Sequence, residues 1–453
     1  MRRMTNAAFG ICGLFLALSS CNDDGTKKRQ DGYVPPQRDG IKNPDKGPPP
    51  VKISWTTNTL DSDHAGLHLA LAATGSLLGI SYYRELDQDV TVDCPASGVT
   101  PGGPRARPAF DLLYLHNDGT KWGTPVKVDQ TIGAKTYGTS VVFDKASKKV
   151  FVGYLGGTQM SLTECASNDA VIASSTNYTT FTKRTVSSAG SYAGDTVGYW
   201  MSVAVNSKGE DHAAHKDVLF GYYEADGKLK ANPMYDNEVI GGVNGPQYKK
   251  GGGDYMSMAF DATDQPVVAF FNPVQMSDEG GIQVAVKKGA SWSLQQVVTG
   301  ATSERISLAT NGKGIFGISF YDPGQQLLRY TESPANLASW AEVVVDQDLT
   351  HNGEFSSLAF DSKGQPAIAY YRCGAYNSST CNLGKDALMF AYRLNNTWHT
   401  WEVDQGGLNR CGVYASLVFT ASDKPVIAYQ CVALDNKTNQ FIDALKVAQG
   451  AVQ

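Results

Sequence analysis

Seven times along the chain a short apolar run leads into a polar turn and then a second apolar run that tends to close on aromatic residues. Leu358 to Tyr371 reads Leu-Ala-Phe-Asp-Ser-Lys-Gly-Gln-Pro-Ala-Ile-Ala-Tyr-Tyr. Met258 to Phe271 and Leu417 to Tyr429 repeat it closely. Looser copies begin at Leu69, Val141, Val203 and Leu308, which gives an average spacing of 58 residues between Leu69 and Leu417. A β unit returning every 40–60 residues or so cannot bury its own apolar face and must stack on its neighbours, which is the pattern of a propeller blade. The chain is therefore expected to be all-β, a seven-bladed β-propeller of four-stranded antiparallel blades.

The unit from 355 to 406 shows how one repeat makes four strands. Ser357 to Phe360 alternates as the first strand. Asp361 to Gly364 is a turn, because Asp accepts from amides two residues on and Gly tolerates positive φ. Pro366 opens the second strand, where a missing N–H costs no ladder bond. Asp386 to Tyr392 and Trp398 to Val403 supply the third and fourth. Fourth strands are expected to open near Trp122, Trp292 and Trp340, with the indoles packed between sheets. At the C-terminal end, Asp443 to Ala448 matches Asp386 to Ala391, but no fourth strand follows. Val51 to Leu60 has the fourth-strand pattern, so an N-terminal strand is expected to complete the last blade and close the ring.

The chain ends divide as 1–21, 22–50 and 51–453. Arg2 and Arg3 precede a twelve-residue apolar core from Ala7 to Leu18, too short to span a bilayer. Leu18-Ser-Ser-Cys21 resembles the bacterial lipobox. That resemblance implies cleavage before Cys21, acyl chains (diacylglyceryl, palmitate-type) on its thiol, and an exported, membrane-anchored lipoprotein, most simply of the outer membrane or cell surface. Residues 22–50 are rich in Pro, Gly and charge, with Tyr33, Val34 and Ile41 as the sizeable apolar side chains. Such a segment cannot offset the entropy of ordering and is read as a disordered tether.

A formal net charge of −5 argues against a nucleic-acid partner, which needs a clustered basic surface. Beyond the signal, Cys94, Cys165, Cys373, Cys381, Cys411 and Cys431 form an even set in an exported chain and are read as disulfides. Proximity favours Cys373 with Cys381, and blade geometry favours Cys411 with Cys431, which leaves Cys94 with Cys165. No cysteine pair has zinc-ligand spacing. His212 and His215, assigned to an enlarged hairpin of the third repeat, are weak metal candidates at best. No metal and no cofactor is expected.

Loops joining strand two to three, and strand four to the next blade, share one face. The long ones, 84–107, 156–168 and 372–385, lie there with the cysteines in or beside them. Just before each first strand's opening apolar residue stand Ser140, Ser202, Ser257, Ser307, Ser357 and Ser416, with His68 in the first repeat. Two positions earlier stand Gly66, Gly138, Trp200, Tyr255, Arg305, Phe355 and Tyr414. Aromatics and a cation at a channel mouth suit a glycan or a protein partner, since rings stack on apolar faces and Arg forks a carboxylate. The candidate ligand-binding residues are therefore His68, Trp200, Tyr255, Arg305, Phe355 and Tyr414, with Arg372 and Arg410 on the same face and Arg84 beside them. Asp254, Glu304, Glu354 and Asp322 are acids nearby in sequence.

Taken together, the repeats resemble exported bacterial propellers grouped loosely with neuraminidase (sialidase-like) repeats. The Asp-box of sialidases is missing, and the aspartates sit instead between strands one and two. The resemblance implies a blade framework and carries no catalytic residue over. A lipid-anchored binding propeller of the cell envelope is the expected function, without catalysis. A hydrolase or lyase of acidic polysaccharide using Arg305, Tyr255 and His68, or an envelope scaffold, is the alternative. Cys21→Ser is expected to move the protein from the detergent-requiring membrane fraction to the soluble fraction. Persistent membrane association of that variant would rule out the lipid anchor.

Overall fold

The computed structural model describes residues 51–452 except 95–101, 133–137, 161–166, 188–194, 220–253, 273–279, 289–290, 301–304, 335, 347–351, 374–375, 378–379, 382–385, 406–409 and 436–439. The signal, the tether, Cys21, Cys165 and Glu304 lie outside the described residues, as do the side chains of Cys94, Asp254 and Cys381.

The chain forms an all-β propeller of four-stranded antiparallel sheets, numbered here by the order of their first strands. Sheet 1 comprises Ala65–Thr74, Leu77–Glu85, Ala109–Asn117 and Val126–Ile132, and sheet 2 comprises Thr139–Phe143, Val150–Met160, Ser167–Ser175 and Thr182–Ser187. Sheet 3 contains Asp195–Val205 and Asp211–Leu219, two strands among the described residues. Sheet 4 runs Asp254–Phe260, Pro266–Asn272, Gly281–Lys288, Ser291–Thr299, and sheet 5 runs Ser307–Thr310, Ile315–Asp322, Leu327–Pro334, Ala341–Asp346. Sheet 6 is Asn352–Phe360, Pro366–Arg372, Ala387–Leu394 and Thr397–Asp404. Sheet 7 takes Arg410–Phe419, Pro425–Asp435 and Gln440–Val452 from the C-terminal end, and Ile53–Asp61 pairs with Gln440–Val452 as its fourth strand. The long loops of sheets 1 and 6 carry small hairpins of their own, Val90–Cys94 with Gly103–Arg107 and Tyr376–Asn377 with Thr380–Cys381.

Inner strands are joined through serine. The Oγ of Ser140 accepts from Val203 N, Ser202 from Met258 N, Ser307 from Leu358 N, Ser357 from Leu417 N and Ser416 from Leu71 N, each at 3.0 Å, and Ser257 from Leu308 N at 2.9 Å. Every bond crosses from one sheet to the next. Register corrects the first repeat: Ala70 pairs with Ser81 as Ser357 pairs with Ala369. Ala70, not His68, therefore holds the serine position, and His68 falls two residues earlier. The alternation Leu67, Leu69, Leu71 made a two-residue slip invisible in the sequence.

Four glycines set the spacing between sheets. Gly66, Gly198, Gly353 and Gly412 have φ between +92° and +121° and stand four residues before the serine position. A Cβ on Gly353 would lie 2.7 Å from Leu328 Cα, and one on Gly412 would lie 2.9 Å from Leu388 Cα, in each case on the third strand of the preceding sheet. Only glycine allows both the left-handed turn and that approach.

Farther out, a tyrosine on each of four second strands reaches the fourth strand of the sheet before it. Tyr82 donates to Asp61 (2.8 Å), Tyr154 to Asp129 (2.6 Å), Tyr370 to Asp346 (2.5 Å) and Tyr429 to Asp404 (2.6 Å). A register irregularity recurs just before these aspartates, the kind of break that re-aims a side chain. Where sheet 4 meets sheet 5 the same two positions hold Val298 and Phe320, both buried in one apolar cluster. Among the described residues, hydroxyl and carboxylate occur together or are replaced together. Asp61 belongs to the closing N-terminal strand, so ring closure uses the same latch as three of the other seams.

Trp292 and Trp340 pack as expected, half-buried against apolar clusters shared by neighbouring sheets, and Trp398 lies edge-on to Tyr330 at 5.3 Å and Trp55 to Phe390 at 5.2 Å. Trp122 differs, standing in the turn as an isolated bridge to Asn117 before the fourth strand begins at Val126. His212 and His215 also differ from expectation, lying on strand Asp211–Leu219 and not in a hairpin. Three residues apart on a strand, they point to opposite faces and cannot share a metal ion. Cys411 and Cys431 pair across adjacent strands as a disulfide, and Cys373 is also disulfide-bonded. Asp404 lies beside the Cys411–Cys431 bridge, whose sulfurs are already bonded to each other.

Tyr429→Phe is expected to cost about 1–3 kcal/mol by leaving the Asp404 carboxylate short of a donor. Asp404→Val combined with Tyr429→Phe copies the Val298–Phe320 seam and should recover part of that loss, the remainder being the Lys446 ammonium that loses its Asp404 partner. Urea unfolding of the two single variants and the double variant measures the coupling. Strictly additive losses would show that the latch is not a unit.

Candidate functional site

The residue two before each serine position has positive φ in every sheet: His68 (48°), Gly138 (95°), Trp200 (49°), Tyr255 (53°), Arg305 (66°), Phe355 (55°) and Tyr414 (54°). Non-glycine residues rarely adopt this conformation, and each instance costs on the order of 1–3 kcal/mol. Register breaks flank these positions in sheets 1, 3, 4, 6 and 7, so the left-handed residue is a bulge that turns its side chain out of the strand.

The bulges bring the side chains together in two groups. In the first, the His68 ring is 4.4 Å from that of Tyr414, and the Tyr414 hydroxyl is 3.3 Å from His68 Nε2. Phe355 meets Tyr414 edge-on at 5.1 Å. The Arg305 guanidinium lies over both rings, 4.4 Å from Tyr414 and 5.1 Å from Phe355. Sheets 1, 5, 6 and 7 thus contribute to one cluster. In the second group Trp200 and Tyr255, from sheets 3 and 4, lie 5.1 Å apart at 52°. Phe355 and Tyr414 are buried, whereas His68, Trp200, Tyr255 and Arg305 are half-buried. Gly138 interrupts the series. Among the described residues no atom lies within 4 Å of where its Cβ would stand, which leaves space beside the His68 and Trp200 positions.

Burial holds the His68 imidazole well below its ordinary pKa, and the positive charge of Arg305 lowers it further. The ring is therefore neutral near pH 7 and can take part as acceptor as well as donor.

Arg372 and Arg410 do not join these groups. Arg372 is paired with Glu402 at 2.5 Å. Arg410 lies over the Tyr371 ring at 5.0 Å, in a buried network with Glu354 and Asp386, where Tyr371 donates to Asp386 at 2.5 Å. Burial raises the Glu354 carboxyl, with Arg410 drawing it back. Asp443, next to this network, is raised by burial to about 6. Arg84 is paired with Asp61 at 2.6 Å, and Arg329 likewise spans Asp322 and Glu342. Arg84, Arg329, Arg372 and Arg410 thus face acids of their own sheets or of neighbouring ones. Tyr371, Asp386 and Asp443 were not singled out from the sequence. Their signal was present, since Asp386 and Asp443 hold matching places in the third-strand repeat.

No family model matches the chain, and no curated protein matches it. Among solved structures it is similar to the NanB sialidase from Streptococcus pneumoniae, at 12% identity and a TM-score of 0.43, covering 87% of this chain and 69% of that one. It is similar to the intramolecular trans-sialidase from Ruminococcus gnavus at 11% identity and 0.40, covering 82% and 90%. The leech intramolecular trans-sialidase gives 10% and 0.41, covering 87% and 68%.

A neutral His68 in the folded protein, against an imidazole of ordinary pKa in the unfolded chain, sets the sign of one pH dependence. Below about pH 6.5 the unfolded chain binds the proton that the folded state refuses, so stability falls as pH drops through that value. Asp443 works in the opposite direction: its raised pKa contributes stability at low pH that is lost as pH rises through about 6. The difference between wild type and His68→Gln isolates the histidine. Urea unfolding between pH 7.5 and 5 should show a shallower acid-side fall for the variant, and parallel curves would contradict the buried neutral imidazole.

Proposed function

We propose that this chain is a lipid-anchored, seven-bladed propeller of the bacterial cell envelope that binds a glycan through the aromatic and cationic side chains at its axis. The observation that carries the reading is the recurrence of one uncommon backbone conformation, with φ from 48° to 66° at six non-glycine positions, and the ring or guanidinium that each presents. Packing alone would be served by residues in ordinary strand geometry. Left-handed bulges at His68, Trp200, Tyr255, Arg305, Phe355 and Tyr414 cost free energy, and a shared binding surface gives them a common purpose. Flat rings with a stacked guanidinium suit the apolar face of a sugar, with the space beside Gly138 as the place of entry.

The serine contacts support the reading of sheet 3 as a seventh blade. Sheet 3 accepts from sheet 4 and donates to sheet 2 through the same Ser-to-amide bonds that join the complete sheets. Anchoring through Cys21 and exposure at the outer membrane or cell surface rest on the lipobox resemblance. Binding without turnover is favoured over hydrolysis because Arg305 and His68 share one cluster while Tyr255 belongs to the other.

A glycan array probed with the Cys21→Ser protein, followed by a turnover assay on every bound glycan, tests the reading. Selective binding with no product is expected. Tyr255→Ala and Arg305→Ala should each weaken that binding at least tenfold, as removal of a desolvated stacking ring or cation does, while Lys363→Ala on the opposite face leaves it unchanged. Turnover would replace this function with the hydrolase or lyase. Loss of binding with Lys363→Ala alone would move the site to the other face.

A further inference from the structure

The turns between first and second strands gather on the face opposite the long loops. There the first strands of sheets 1, 6 and 7 and the turn of sheet 2 surround a cavity of about 400 Å³. Its walls differ in chemistry. Lys145 and Lys148 come from the sheet 2 turn, Asp361 and Asp423 from sheets 6 and 7, and Phe360 and Phe419 supply half-buried apolar surface between them.

The two carboxylates are fixed by the turns themselves. Asp361 accepts from the Tyr392 hydroxyl at 2.6 Å and from Gln365 N at 2.7 Å. Asp423 accepts from Ser362 N at 2.9 Å and from Ser362 Oγ at 2.5 Å, which ties the turn of sheet 6 to that of sheet 7. Both acids are held by neutral donors. The Ser362 hydroxyl also keeps the Asp423 carboxyl below the ordinary carboxylate range, so it stays charged. Across the cavity, Lys148 Nζ donates to the neutral Thr74 Oγ1 at 3.2 Å. Among the described residues, Lys145, Lys148, Asp361 and Asp423 form no ion pair with one another.

Two cations and two anions lining one cavity without neutralising each other make a bipolar site. From this we infer that the turn-face cavity binds a short zwitterionic peptide, its free carboxylate at Lys145 and Lys148, its free ammonium at Asp361 and Asp423, and an apolar side chain on Phe360 and Phe419. The size agrees. Ligand cavities run from about 300 to 1,000 Å³. An extended chain advances about 3.3–3.6 Å per residue, so the termini of a di- or tripeptide stand farther apart than the two charges of a single amino acid, which suits charges held on separate sheets. This site is separate from the axial aromatic cluster and does not depend on what that cluster binds.

Calorimetric titration of the whole chain with the dipeptide Ala-Phe is the test, beside N-acetyl-Ala-Phe and Ala-Phe-amide. One-to-one binding of Ala-Phe is expected, with each blocked form at least tenfold weaker. Lys145→Ala together with Lys148→Asn, the second chosen because Asn tolerates the left-handed backbone at that position (φ 62°), should bind Ala-Phe and its amide equally. Thermal melting of that variant at the wild-type temperature keeps the comparison free of folding effects. Absence of heat at millimolar Ala-Phe overturns the inference. Equal binding of blocked and free peptides would reduce the cavity to an apolar contact and overturn it as well. Unchanged discrimination in the lysine variant would place the peptide elsewhere.

Discussion

A serine hydroxyl accepting the amide of the next inner strand is the contact on which the rest of this propeller depends. Strands of neighbouring sheets cannot share a β ladder, because each sheet's first strand pairs with its own second strand. The amide that faces the neighbour would then be buried without an acceptor, at a cost of about 1–3 kcal/mol. A side chain one atom longer than alanine reaches it, and a bulkier one would force the strands apart. Serine is small enough and polar enough at once, which explains its appearance at six of the seven positions. Glycine four residues earlier and the tyrosine latch farther out then act at successive radii of the same seam.

The axial cluster follows from this seam. Each serine must stand at a fixed height, and the bulge just before it sets where the strand leaves the ring. That bulge carries the side chain two residues upstream toward its counterparts from other sheets. Tyr414, Phe355, Arg305 and His68 meet because their backbones repeat, although their side chains have no chemistry in common. The scaffold fixes the position, and each repeat remains free to change the group displayed there. Gly138 is the limiting case, keeping the conformation and presenting no side chain.

Much of the framework was legible because it is periodic. The Ser-apolar-Ala-Phe pattern, the turn aspartates and the orphan fourth strand at Val51 all announce sheets and closure without any long-range information. Other features were illegible for physical reasons. A strand has period two, so Leu67, Leu69 and Leu71 satisfy the first repeat in two registers, and only the pairing of Ala70 with Ser81 decides between them. Left-handed φ at Trp200 or Phe355 leaves no mark in residue type, since neither residue favours it. Arg372 and Arg410 read as open cations because their partners Glu402 and Glu354 lie 30 and 56 positions away. The latch was readable in principle: valine-aspartate recurs in three fourth strands and leucine-aspartate in the closing one, and Val298 with Phe320 shows the exchange that identifies the pair.

Closure in sheet 7 also fixes how the molecule bears load. Ile53 pairs with Val452, and successive partners run inward to Asp61 with Leu445. Tension applied through the chain preceding Val51 therefore meets the outermost strand at its free end and peels it one rung at a time, with no shearing of all rungs together. Peeling is the weak direction of a sheet, so the first mechanical failure is confined to this strand. Resistance rises only when the peel front reaches Asp61, where the Tyr82 hydroxyl and the Arg84 guanidinium both hold the carboxylate. The outer edge of sheet 7 thus serves as a compliant fuse, and the seams between the sheets stay shielded until that anchored carboxylate lets go.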